Sequence, residues 1–175
     1  MKKLFIAFVL AGMFLFGVPR LRGDQIFVAH LTGSQVSPTP TGSPGTGTAT
    51  VDLNDAQTMI TVNLSFADLE GPATAAHIHG PAAAGSNAGV LFPFTGVPSA
   101  TSGSIPPQSF AITSTQVGDL ESGLFYVNVH STVFTDGEIR GQLARTPEPT
   151  SLLLMGTGLL GLALVVKKRR SALCG

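Results

Sequence analysis

The sequence predicts an all-β domain, an antiparallel Greek-key sandwich or barrel of about seven or eight strands, with an N-terminal signal peptide and a C-terminal transmembrane helix on its flanks. Three observations carry this expectation. Apolar and polar residues alternate in several short runs, the period of a strand with one buried face. Proline- and glycine-rich stretches punctuate those runs at regular spacing. Two longer apolar runs lie near the ends, each beside a basic cluster.

The chain starts MKKLFIAFVLAGMFLFGVPRLRGDQ, with Lys2 and Lys3 ahead of an apolar run from Leu4 to Val18. This is the layout of a secretory signal peptide, assigned to residues 1–23. No A-x-A box is present and Arg20 and Arg22 follow the run, so Gly17 or Gly23 marks the cut, and an uncleaved N-terminal anchor is the alternative. The β domain is expected over 24–145. QIFVAHL (Gln25 to Leu31) and GTATVDL (Gly47 to Leu53) read as strands. Between them, SPTPTGSPGTG from Ser37 to Gly47 is too rich in proline and glycine for regular structure and reads as a long surface loop. MITVNLSF gives the cleanest alternation: Ile60, Val62, Leu64 and Phe66 on one face, Thr61, Asn63 and Ser65 on the other. STQVGDLESG (Ser114 to Gly123) starts on a hydroxyl residue and ends on glycine, as one or two helical turns would.

LFYVNVHSTVFTDGEIRGQL (Leu124 to Leu143) reads as a hairpin turning tightly at Asp136-Gly137. Phe125, Val127 and Val129 share one face of its first strand, opposite Tyr126, Asn128 and His130. Ile139 and Leu143 share a face of the second, opposite Glu138, Arg140 and Gln142. With no tryptophan, the core falls to Val, Ile, Leu and Phe.

Charge narrows the function classes. Ten basic and ten acidic residues balance overall, but between Asp24 and Thr150 only Arg140 and Arg145 face all ten acidic residues, about −8. Such a domain has no footprint for nucleic acid and repels an acidic polysaccharide unless a cation bridges them. The single cysteine, Cys174, lies in the tail, so the domain holds no internal disulfide and no cysteine nucleophile. There is no G-x-S-x-G turn, and the glycines sit in turns rather than in a phosphate-binding loop.

The chemistry-bearing residues centre on AAHIHG, Ala75 to Gly80. Period-two geometry puts His77 and His79 on one face and Ile78 on the other, and His130 likewise lies opposite Val127 and Val129. Three outward imidazoles on neighbouring strands could converge on zinc or copper and leave a coordination position open. Two other readings stay open: structural hydrogen bonding, and direct contact with a partner. Glu138 and Arg140 lie two apart on one face, either as a solvated ion pair or as groups that orient His130. Asn128 either fixes the loop after His79 or is an ordinary polar strand residue.

Two family resemblances rest on these residues. Pro147-Glu148-Pro149, an apolar run from Leu152 to Val166 and the cluster Lys167, Lys168, Arg169, Arg170 resemble, over 146–175, the PEP-CTERM sorting signal of Gram-negative bacteria. That resemblance implies an exosortase-type processing protease, transient membrane anchoring through the helix, and delivery to the cell surface or release, in hosts that make exopolysaccharide. A plain C-terminal membrane anchor is the alternative. AHIHGPA with the turn Gly85 to Gly89, then YVNVHS and GEIRGQL, is similar to the CHRD domain, named after chordin, from about Phe27 to Leu143; Ser131 stands where the family commonly has threonine. It implies a β domain of secreted proteins with no established enzymatic activity, acting by binding. A weaker likeness to copper–zinc superoxide dismutase rests on the H-x-H pair and a later histidine, and it stops there, because only His30 is left as a fourth imidazole. The expected function is therefore a non-catalytic surface or matrix module that binds extracellular polysaccharide or a surface protein. The alternatives are a copper- or zinc-binding envelope protein and a dismutase-like redox enzyme.

Overall fold

Which residues of each strand reach the core follows from the alternation. The computed structural model describes residues 24–147 and 156–158. Strand β1 (Gln25–Thr32) buries Phe27, Ala29 and Leu31, while Ile26 and His30 face out. Strand β2 (Thr46–Leu53) buries Ala49, Val51 and Leu53, and β3 (Met59–Ala67) buries Ile60, Val62, Leu64 and Phe66. Register aligns these sets: Phe27 pairs with Val51, and Val51 with Val62. Rows of apolar side chains thus cross the strands on one face, so a one-residue slip would turn every row to solvent.

The remaining strands are β4 (Ala73–His79), β5 (Val90–Pro93), β6 (Gly103–Ala111), β7 (Tyr126–Ser131), β8 (Ile139–Gln142) and the short β9 (Ala144–Arg145). All pairings are antiparallel, in the order β5-β4-β7-β8-β1-β2-β3-β6, with β9 also against β1. The consecutive strands β5 and β6 occupy opposite edges of this sheet. Their rings nevertheless meet, Phe92 lying 5.3 Å from Phe110 between centroids. The sheet therefore curls into a nearly closed barrel around one core of Val, Ile, Leu, Phe and Ala, the all-β architecture expected.

Helix α1 (Ser114–Glu121) crosses from β6 to β7 and buries Val117 and Leu120. Its cap is Thr113, one residue before the expected hydroxyl: Gln116 N–H donates to Thr113 Oγ1, and Thr113 N–H to Gln116 Oε1 at 3.0 Å, a capping box. The chain leaves the helix through Gly123 at φ +71°, where glycine carries no Cβ penalty.

The hairpin between β7 and β8 departs from expectation. Thr132 to Glu138 form its loop, so Asp136-Gly137 is not a two-residue turn. Ser131 is the reason: its hydroxyl accepts from the N–H groups of Val133 and Phe134 at 3.3 and 3.1 Å and folds the chain back early. Gly137 still needs to be glycine, with φ +125° and no room for a Cβ beside the Asn128 amide.

The expected signal peptide over 1–23 lies outside the described residues. So do the sorting residues Glu148 and Pro149 and the apolar tail, apart from a helical stretch at 156–158. Among the described residues no helix is long and apolar enough to cross a membrane.

Candidate metal centre

Strands β4 and β7 lie side by side, with Ala75 opposite His130, His77 opposite Asn128 and His79 opposite Tyr126. Because Ile78, Val127 and Val129 are fully buried in the core, period-two geometry sends these polar side chains to the outer face. That face is not open to water, although outward-pointing polar side chains predict a solvated one. His79, Asn128, Tyr126 and Arg140 are all buried, and His77 and His130 are half-buried. The loops 80–89 and 132–138 form a second, polar layer on the sheet, tied down by the side chains they cover.

The three histidines come together. One potential ligand nitrogen from each of His77, His79 and His130 lies within 4.8 Å of the other two. The His77 ring stands edge-on to His79 at 5.5 Å and to His130 at 5.1 Å. His79 Nδ1 lies 3.1 Å from the Ala88 carbonyl oxygen and His130 Nδ1 lies 2.7 Å from that of Thr135. A carbonyl only accepts, so each Nδ1 carries a proton, and in the neutral ring that leaves the lone pair on Nε2. Those two Nε2 atoms, together with His77 Nδ1, are buried and have no hydrogen-bond partner among the described residues. Unpartnered buried polar atoms are costly, and here three of them sit on neighbouring imidazoles. This donor set suits a borderline metal ion such as zinc or copper, with Zn–N bonds of about 2.0–2.1 Å.

Electrostatics keep His77 and His79 from taking up a second proton. Burial, and then the neighbouring His130 and His79, push the His77 pKa down from 6.5 to about 4. His79 is lowered too, chiefly by burial, against the opposing pull of the Ala88 carbonyl and with His130 and Arg140 adding to the effect. At neutral pH both rings are neutral, as a metal requires. Without metal, His77 binds its proton near pH 6.5 when unfolded and only near 4 when folded. Its share of stability is therefore present above 6.5 and lost as pH falls toward 4. Thermal melts in chelator should show the unfolding midpoint dropping across that window, and the drop should be smaller in a His77→Gln variant.

Around the histidines, the residues singled out in the sequence take different places. Tyr126, the only tyrosine, stacks on His79 at 4.9 Å between centroids with 4° between planes, and the Arg140 guanidinium carbon lies 3.5 Å from the Tyr126 ring centroid. The Tyr126 hydroxyl donates to the Ala88 carbonyl at 3.3 Å, the same oxygen that holds His79 Nδ1, and accepts from Ala88 N–H at 3.1 Å. Arg140 donates to Asn87 Oδ1 at 2.9 Å and to the Ser86 carbonyl at 2.7 Å. Arg140 and Tyr126 thus clamp the segment 86–88 whose carbonyl sets the His79 tautomer. Replacing Tyr126 by Phe or Arg140 by Lys should weaken metal binding about 10- to 100-fold, the usual cost of disturbing groups behind a ligand, and titrations of each variant measure it.

Glu138 and Arg140 do not pair, and neither hydrogen-bonds His130. Glu138 turns the other way. Its Oε1 accepts from Ser43 Oγ at 2.5 Å and from Glu70 N–H at 2.6 Å, which ties two loops to the residue that leads into β8. Nor does Asn128 hold the loop after His79: its Nδ2 donates to the Asp136 carbonyl at 3.4 Å, in the hairpin loop, because Gly137 packs directly against the amide. The sequence reading missed Tyr126, Asn87 and the Ala88 and Thr135 carbonyls. Alternation in YVNVHS does place Tyr126 on the histidine face, but backbone carbonyls leave no mark in a sequence.

A family model described as the CHRD domain matches residues 27–143, and one described as a PEP-CTERM protein-sorting motif matches residues 145–170. No curated protein and no solved structure matches the chain.

Proposed function

The chain belongs to the CHRD domain family and carries a PEP-CTERM sorting motif, and we propose that its exported domain is a non-catalytic metal-binding module in which His77, His79 and His130 hold one zinc or copper ion. The sorting motif makes this a protein for the cell envelope or surface of a Gram-negative bacterium, processed by exosortase-type machinery. The observation that carries the metal reading is the set of three buried, unpartnered imidazole nitrogens, two of them on rings whose other nitrogen is fixed by a carbonyl. Nothing among the described residues satisfies them, whereas one cation would satisfy all three at once. Three imidazoles leave at least one coordination position for an oxygen or nitrogen of a partner. In an acidic domain, a cation so held also offers an attachment point for an extracellular polysaccharide or surface protein that the bare domain would repel. Mass action gives the test: an ion that binds only the folded state stabilises it, by about 2.7 kcal/mol at a hundred times its dissociation constant. Zinc or copper should raise the unfolding midpoint and chelator should return it. An unchanged midpoint with both ions would count against the reading.

A further inference from the structure

A second polar site lies beside the first and does not depend on metal. A cavity of about 280 Å³ is bounded by the segment Ser34 to Pro40, the turn at Ala84-Gly85, and Arg140 and Gln142 of β8. Arg140 is only 2 % exposed, yet its acceptors, the Asn87 amide oxygen and the Ser86 carbonyl, are neutral, and no carboxylate of the described residues pairs with it. A guanidinium removed from water without a counter-charge is costly, and a bound anion offsets that cost. Gln142 adds the complementary half. Its Nε2 donates to the carbonyls of Ala82 and Gly123 at 2.8 and 2.7 Å, which fixes the amide, and its buried Oε1 has no donor among the described residues. The cavity therefore combines a cation lacking an anion with an acceptor lacking a hydroxyl, two positions apart on one face of β8. Val36, Pro38 and Pro40 supply apolar wall for a carbon skeleton. The volume is at the small end for ligand pockets and suits a single small molecule.

We propose that this cavity binds a small hydroxylated carboxylate, such as a sugar acid, with its carboxylate on Arg140 and a hydroxyl donating to Gln142 Oε1. The test is an NMR titration of the full chain with D-glucuronate, reading the Arg140 Nε–H and the Gln142 side-chain amide. Acetate and D-glucose serve as the ligands that lack one half each. Because Arg140 also clamps the 86–88 segment, the blocking variant is Ala84→Trp, placed at an exposed position on the cavity wall. Glucuronate should shift both signals saturably, acetate should bind at least tenfold more weakly, and glucose should leave them unmoved. Ala84→Trp should lose the response while keeping its unfolding midpoint. No saturable shift with glucuronate, an equal response to glucose or acetate, or undiminished binding by Ala84→Trp would overturn the proposal. None of these readings uses metal, so the histidine site stands or falls separately.

Discussion

Replacing His77 and His79 together by alanine should lower zinc or copper affinity by more than about 100-fold, beyond the range expected for groups that only support a ligand. Two of the three clustered nitrogens disappear, and His130 alone offers a single ligand atom. The fold should survive, because both side chains lie on the outer face while Ile78 between them keeps its place in the core. Competition titration against a coloured chelator reads the affinity, and a thermal melt in chelator checks the fold. Near-equal affinity of variant and parent would mean that the ion sits elsewhere.

Glu138→Ala should be the most damaging single change outside the apolar core, costing about 3 kcal/mol. The side chain is fully buried and bonds Ser43 and the Glu70 N–H, while Thr41 Oγ1 donates to its backbone carbonyl at 2.7 Å. Truncation orphans the Glu70 amide, worth about 1–3 kcal/mol, and leaves a cavity that the surrounding β-barrel cannot fully collapse. Against a typical domain stability of about 5–15 kcal/mol, such a loss moves a urea midpoint plainly. Glu138→Gln keeps an acceptor in place and should cost less than half as much. A Glu138→Ala loss below about 1 kcal/mol would show that the two loops hold without it.

Much of this was legible in the chain, and the reason is the same in each case. MITVNLSF alternates strictly, so the buried face of β3 could be read residue by residue, and the alternation of YVNVHS gives Val127 and Val129 as core residues but not the burial of Tyr126 and Asn128 opposite them. His77 and His79 followed from the same period, and their approach to His130 needed only that β4 and β7 be neighbours. What stayed hidden depends on contacts between segments far apart in sequence. Glu138 reads as half of a surface pair with Arg140, yet its partners are Ser43 and Glu70, 95 and 68 positions away. Arg140 reads as exposed, yet it is enclosed by Ser86 and Asn87, 54 and 53 positions away. Local pattern gives the face a residue points to. It does not say whether a loop from elsewhere will cover that face.

Whether the three imidazoles share one ion can be read from X-ray absorption at the zinc or copper edge of the loaded protein. One ion per chain is expected, with three nitrogen scatterers of imidazole type at about 2.0–2.1 Å. Oxygen-only coordination, or an ion that does not load stoichiometrically, would contradict it.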